Sequence, residues 1–93
     1  MLFMYIHTHS VEKCIADKPQ ETARIMSSVQ EEAQKAGIKL QGIYIAAHEH
    51  TIYCILEADD VLKLERALHP MTLWGNARLI PIAAAQQLAT AMR

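Results

Sequence analysis

The sequence predicts an α+β domain with the element order β-α-β-β-α-β. Three observations carry this. Four apolar runs, at 2–9, 38–48, 51–58 and 77–82, have the length and residue types of strands. Two segments between them, 19–36 and about 60–68, place apolar residues at helical spacing and carry end signals. The second and third runs are separated by only two residues, which demands a hairpin.

Residues 2–9 alternate Leu2, Met4, Ile6 and Thr8 against Phe3, Tyr5, His7 and His9. Both sets are mostly apolar, as in a central strand covered on both sides. Residues 10–18 are expected to be loop. Pro19 suits the first turn of a helix, where its missing N–H would have no partner anyway. Thr22, Met26, Val29, Ala33 and Ala36 form the inner stripe of that helix, and Gly37 is placed to end it.

In the hairpin, Glu49 and His50 as turn residues set His48 opposite Thr51, Ala47 opposite Ile52 and Ile45 opposite Cys54. One face then carries Ile43, Ile45, Ala47, Ile52, Cys54 and Leu56. The other mixes Tyr44, Ala46, His48, Thr51, Tyr53, Ile55 and Glu57. Glu-His is a poor pair for a primed turn, so a slip of register is the weak point of this reading. Asp59 or Asp60 caps the second helix, whose stripe is Val61, Leu64 and Leu68, and Pro70 is expected to stop it. Pro81 puts the last strand at an edge or bulge. Residues 83–93 are expected to form a short helix or tail. The whole, 1–93, is expected to be one domain of the split βαβ, or ferredoxin-like, kind: a four-stranded antiparallel sheet with both helices on one face.

A chain of 93 residues that is 52% hydrophobic has more apolar surface than one small core uses. The uncovered sheet face is expected to bear Phe3, Tyr5, Tyr44, Tyr53 and Ile55. Such a face is too apolar for free solvent, so a second copy is expected to cover it. Net charge is −1 with no basic stripe, which argues against nucleic acid. The N-terminal apolar run is too short to cross a membrane and lacks the features of a signal peptide. Two cysteines do not make a disulfide framework, so reduced thiols and a cytoplasmic location are expected.

The chemistry lies in the histidines. Four of the five occur as two H-x-H pairs, His7/His9 and His48/His50, and Cys14 follows His9 by five residues. In extended chain an H-x-H pair puts both imidazoles on one face. Neutral imidazole and thiolate are transition-metal ligands. The expected set is His7, His9 and Cys14, with His50 as fourth ligand and His48 as its rival. Zinc is the first choice of metal, with copper, nickel and iron as alternatives. Cys54 is expected to be a small buried hydrophobe, and Glu57 either an acceptor for an imidazole N–H or a solvated carboxylate. Tyr5, Tyr44 and Tyr53 are expected either to line a cavity or to fill a dimer interface. Trp74 is expected to anchor the loop before the last strand. No P-loop, G-x-S-x-G, G-x-G-x-x-G or H-E-x-x-H motif occurs, which leaves hydrolase and kinase chemistry unsupported.

His7-Thr8-His9, Cys14, Glu49-His50-Thr51-Ile52-Tyr53 and Leu56-Glu57-Ala58-Asp59 together resemble a recurring pattern. It is that of a group of short bacterial and archaeal proteins within the dimeric α+β-barrel superfamily. The resemblance implies a homodimer with a cavity in or between protomers where a small molecule could sit. A related small-barrel group binds nickel through histidines, which favours a metal here. His48 departs from the shared pattern. The superfamily also holds enzymes without a metal, so the alternative is a monooxygenase- or isomerase-like enzyme with His7 or His48 as acid/base.

Overall fold

The structure, a computed structural model, describes residues 1–92. Its strands are β1 (Leu2–Thr8), β2 (Lys39–Ala46), β3 (Thr51–Glu57) and β4 (Asn76–Ile82). Its helices are α1 (Pro19–Lys35), α2 (Val61–Thr72) and α3 (Ala85–Ala91), with 3₁₀ turns at Val11–Lys13 and Ala47–Glu49. The sheet is antiparallel in the order β2-β3-β1-β4, which is the ferredoxin-like arrangement the sequence predicts. The short C-terminal helix is also present, and Arg93 lies outside the described residues.

Helix α1 begins at Pro19 and gives way to Gly37, whose φ of 73° needs no Cβ accommodation. Helix α2 is capped by Asp60, whose carboxylate accepts from the Leu62 N–H at 2.9 Å. Val29 and Ala33 of α1 and Leu64, Ala67, Leu68 and Met71 of α2 pack onto Phe3, Tyr5, Ile52, Cys54 and Leu56. The Cys54 thiol is buried among them, and burial pushes its pKa up to about 12. It is the small hydrophobe expected from its place mid-strand.

Three expectations are corrected. Phe3 and Tyr5 do not lie on the uncovered face: they pair with Leu56 and Cys54 and are buried under the helices. The uncovered face keeps Tyr44, Tyr53 and Ile55, as expected, and takes Met4, Ile6 and Ile80 in place of Phe3 and Tyr5. The alternation in β1 is as read, but with two apolar faces the sequence alone does not say which one meets the helices.

The hairpin is longer than expected. Ala46 opposes Thr51 and Ile45 opposes Ile52, so four residues, Ala47 to His50, make the connection. The shift relative to the expected register is two residues, so Ile43, Ile45, Tyr44 and Tyr53 keep their faces. β2 therefore ends at Ala46, and His48 sits exposed in the 3₁₀ turn rather than opposite Thr51.

Pro70 does not stop α2, which runs on to Thr72. A proline removes one helical hydrogen bond. Here the last turn is held by other means: Thr72 Oγ1 donates to the His69 carbonyl at 2.7 Å, and the Met71 side chain is buried in the core. Pro81 lies, as expected, on the edge strand β4.

Candidate metal centre

Three sequence-distant side chains meet at the end of the sheet where β1 stops and β3 starts. His9 is the first residue past β1, and its backbone N–H donates to the His50 carbonyl at 3.1 Å. That bond ties the end of β1 to the hairpin. His50 closes the 3₁₀ turn in the left-handed conformation, φ 51° and ψ 45°. A histidine there is uncommon, and the strain is local to this position. Cys14 ends the first 3₁₀ turn, with its N–H on the Val11 carbonyl at 3.2 Å. The loop beyond it is pinned to α1, where the Thr22 hydroxyl donates to the Ile15 carbonyl at 2.6 Å.

Ligand atoms of His9, Cys14 and His50 lie within 4.8 Å of one another. All three residues are half-buried. His9 Nε2 and His50 Nδ1 are buried with no hydrogen-bond partner. A buried imidazole nitrogen left unpaired is costly unless something satisfies it. Tetrahedral bonds of about 2.0–2.1 Å to nitrogen and about 2.3 Å to sulfur place ligand atoms roughly 3.3–3.8 Å apart, so a contraction of about 1 Å completes such a set.

His7 stands behind this group. Its ring is fully buried, and its Nε2 lies 2.9 Å from the Met71 carbonyl. A carbonyl only accepts, so that nitrogen carries the hydrogen. His7 Nδ1 is then the bare nitrogen, and it accepts from His9 Nδ1–H at 3.4 Å. The chain of bonds leaves His9 Nε2 as a bare lone pair, buried and without a hydrogen-bond partner. Burial holds His7 below its ordinary pKa, and burial followed by the charge of His50 does the same for His9. Both rings are thereby kept neutral, the form in which an imidazole can ligate.

Trp74 covers the pair. Its ring centroid is 4.3 Å from that of His7 and 5.2 Å from that of His9. The next residue, Gly75, lets the chain run flat against His7. A Cβ at Gly75 would strike His7 Nε2 and come within 2.5 Å of the Thr8 carbonyl. A cleft of about 450 Å³ opens beside the site, lined by Thr8, His9, Lys13 and Trp74 among others.

Of the four expected ligands, the structure brings His9, Cys14 and His50 together and sets His7 one step back. The rival, His48, is exposed in the turn and is not in the group. Glu57 bonds Gln41 Nε2 at 3.3 Å and is exposed, matching the solvated alternative. The sequence reading did not assign His7 the task of orienting His9. The signal for it was present: alternate residues of one strand face put two imidazoles next to each other. Trp74 was expected as a loop anchor, and nothing in its sequence context pointed at the histidines.

No curated protein matches the chain significantly. Among solved structures, the crystal structure of SCO4226 from Streptomyces coelicolor A3(2) is similar, with a TM-score of 0.62 and 14% identity. The match covers 90% of this chain and 100% of that one, and it supports the fold alone. No helix among the described residues is long and apolar enough to cross a membrane. A family model described as "Domain of unknown function (DUF3303)" matches residues 1–93, the full length, and the chain belongs to that family.

Proposed function

We propose that this protein binds one transition-metal ion per chain through His9 Nε2, Cys14 Sγ and His50 Nδ1, with His7 fixing the tautomer of His9. The observation that carries the reading is the pair of buried, unpartnered imidazole nitrogens beside a thiol. Two nitrogens and one sulfur suit zinc first, with copper(I) or nickel as alternatives. Three protein ligands leave a fourth position for water, a substrate or a ligand from a partner chain. An open position is the arrangement of metal sites that do chemistry, and the adjoining cleft gives a substrate room.

Two further features belong to this reading. A thiolate ligand requires a reducing compartment, which favours the cytoplasm. A homodimer is supported by the apolar residues Met4, Ile6, Ile55 and Ile80 on the uncovered sheet face and by Tyr44, which is 59% exposed. Sedimentation should give twice the chain mass. The metal-free enzyme reading has weaker support, since both His7 nitrogens are engaged and His48 is exposed in its turn.

Elemental analysis of protein purified without a histidine tag tests the proposal. Close to one ion per chain is expected, and loss of it in Cys14→Ser. Native protein free of metal, and unable to retain an equivalent of added zinc, would end the reading.

A further inference from the structure

A second cleft, of about 460 Å³, lies between α1, the loop before it and the end of α2. Its volume falls within the range of small-molecule sites. Its lining is divided by chemistry. Ile15, Val29 and Met71 are buried, Ile25 and Trp74 are half-buried, and together they give it an apolar lining. Lys13, Lys18 and Arg24 are exposed and also line it, against a single carboxylate, Glu21. Glu21 is already engaged, with Arg24 at 3.4 Å. Among the described residues neither Lys13 nor Lys18 forms an ion pair.

An apolar lining with surplus positive charge at its exposed part matches one class of ligand. We infer that this cleft binds a small amphiphilic anion, a carboxylate on an apolar body, with the body against Ile25, Val29 and Trp74 and the carboxylate at Lys13 and Lys18. Burial of the apolar body against this lining supplies most of the affinity. The lysines discriminate for the anion, because cations without an ion-pair partner reward a negative head and not a neutral one. The inference is independent of the metal reading, but the two sites touch. Trp74 and Lys13 line both this cleft and the one beside His9.

Trp74 is the only tryptophan in the chain, so its fluorescence reports on the wall of the cleft. Metal-free protein, treated with chelator, is titrated with octanoate and separately with octanol. Octanoate is expected to change Trp74 emission saturably, and octanol to bind at least about tenfold more weakly. The double variant Lys13→Glu/Lys18→Glu, with both changes on exposed residues, is expected to keep its circular dichroism and lose at least about tenfold in octanoate affinity. Equal binding of octanol and octanoate, undiminished octanoate binding in the double variant, or no response of Trp74 to octanoate would each overturn the inference. Because metal is absent throughout, failure here leaves the metal site standing, and failure of the metal site leaves this titration unaffected.

Discussion

The imidazole of His7 stands directly behind that of His9, Nδ1 to Nδ1 at 3.4 Å, with its far nitrogen on the Met71 carbonyl at 2.9 Å. A backbone carbonyl deep in the core thus determines which nitrogen of a half-exposed histidine is free. Partners of this kind orient a ligand and raise its basicity, and removing one typically lowers metal affinity about 10–100-fold.

The variant His7→Phe separates orienting from ligating. It keeps a ring in the core but deletes both hydrogen bonds. Zinc affinity is expected to fall about 10–100-fold with stoichiometry retained. Stability is expected to fall by about 0.5–1.5 kcal/mol, because the Met71 carbonyl loses its side-chain donor and keeps only the backbone N–H of Trp74 and Leu73. Calorimetric zinc titration and chemical denaturation check the two halves. Complete loss of binding, as in His9→Ala, would make His7 a ligand instead.

Gly75 is the second support of His7. The variant Gly75→Ala places a methyl group against His7 Nε2 and the Thr8 carbonyl, a fully buried ring and a strand backbone. Overpacking of this kind costs about 1–3 kcal/mol. Denaturant unfolding should show that loss, and zinc affinity should fall with it because His7 is displaced. A stability unchanged from the parent would show that the loop before β4 yields more easily than its contacts imply.

At His50 stability and binding should move in opposite directions. Its φ of 51° is strained for a residue with a Cβ and relaxed for glycine. The cost of the left-handed conformation is about 1–2 kcal/mol. His50→Gly is therefore expected to leave the metal-free protein as stable as the parent or up to about 1 kcal/mol more stable, while zinc binding weakens at least tenfold, roughly 1.4 kcal/mol. Thermal unfolding in chelator and zinc titration give the comparison. A clear destabilisation would mean that His50 holds the hairpin by its side chain.

The lowered pKa values of His7 and His9 fix the sign of a pH dependence. Their folded values lie below 6.5, so between those values and 6.5 the unfolded chain binds protons that the folded chain does not. Unfolding free energy therefore rises with pH in that window. This contribution is complete above 6.5 and is lost as pH falls through 6.5 toward the folded values. Melting of the metal-free protein is expected at a lower temperature at about pH 5.5 than at about pH 7.5, with a smaller difference in His7→Phe. Equal melting points would contradict the buried, neutral state of both rings.

Much of this was legible in the chain. Pro19, Gly37 and Asp60 marked helix ends because each relieves a specific backbone problem there, and the strand runs followed from alternation. What alternation does not contain is the identity of the covered face when both are apolar, as in β1. That is decided by how β1 pairs with β3, a long-range fact. The loop of Ala47 to His50 is longer than the two-residue turn expected, because Glu49-His50 is a poor two-residue turn, and no glycine marks its left-handed position. Cys14 and one histidine from each H-x-H motif, His9 and His50, meet at one end of the sheet. That His7 stands behind His9 depends on the Met71 carbonyl, and a methionine side chain says nothing about where its carbonyl points.

Cobalt(II) titration of tag-free protein tests the central claim most directly, because cobalt replaces zinc in such sites and a thiolate ligand announces itself in the near-ultraviolet spectrum. One equivalent is expected to saturate a thiolate-to-cobalt charge-transfer band that is absent in Cys14→Ser and in His9→Ala. No band at stoichiometric cobalt, or an undiminished band in Cys14→Ser, would show that the sulfur and the two imidazole nitrogens do not share an ion.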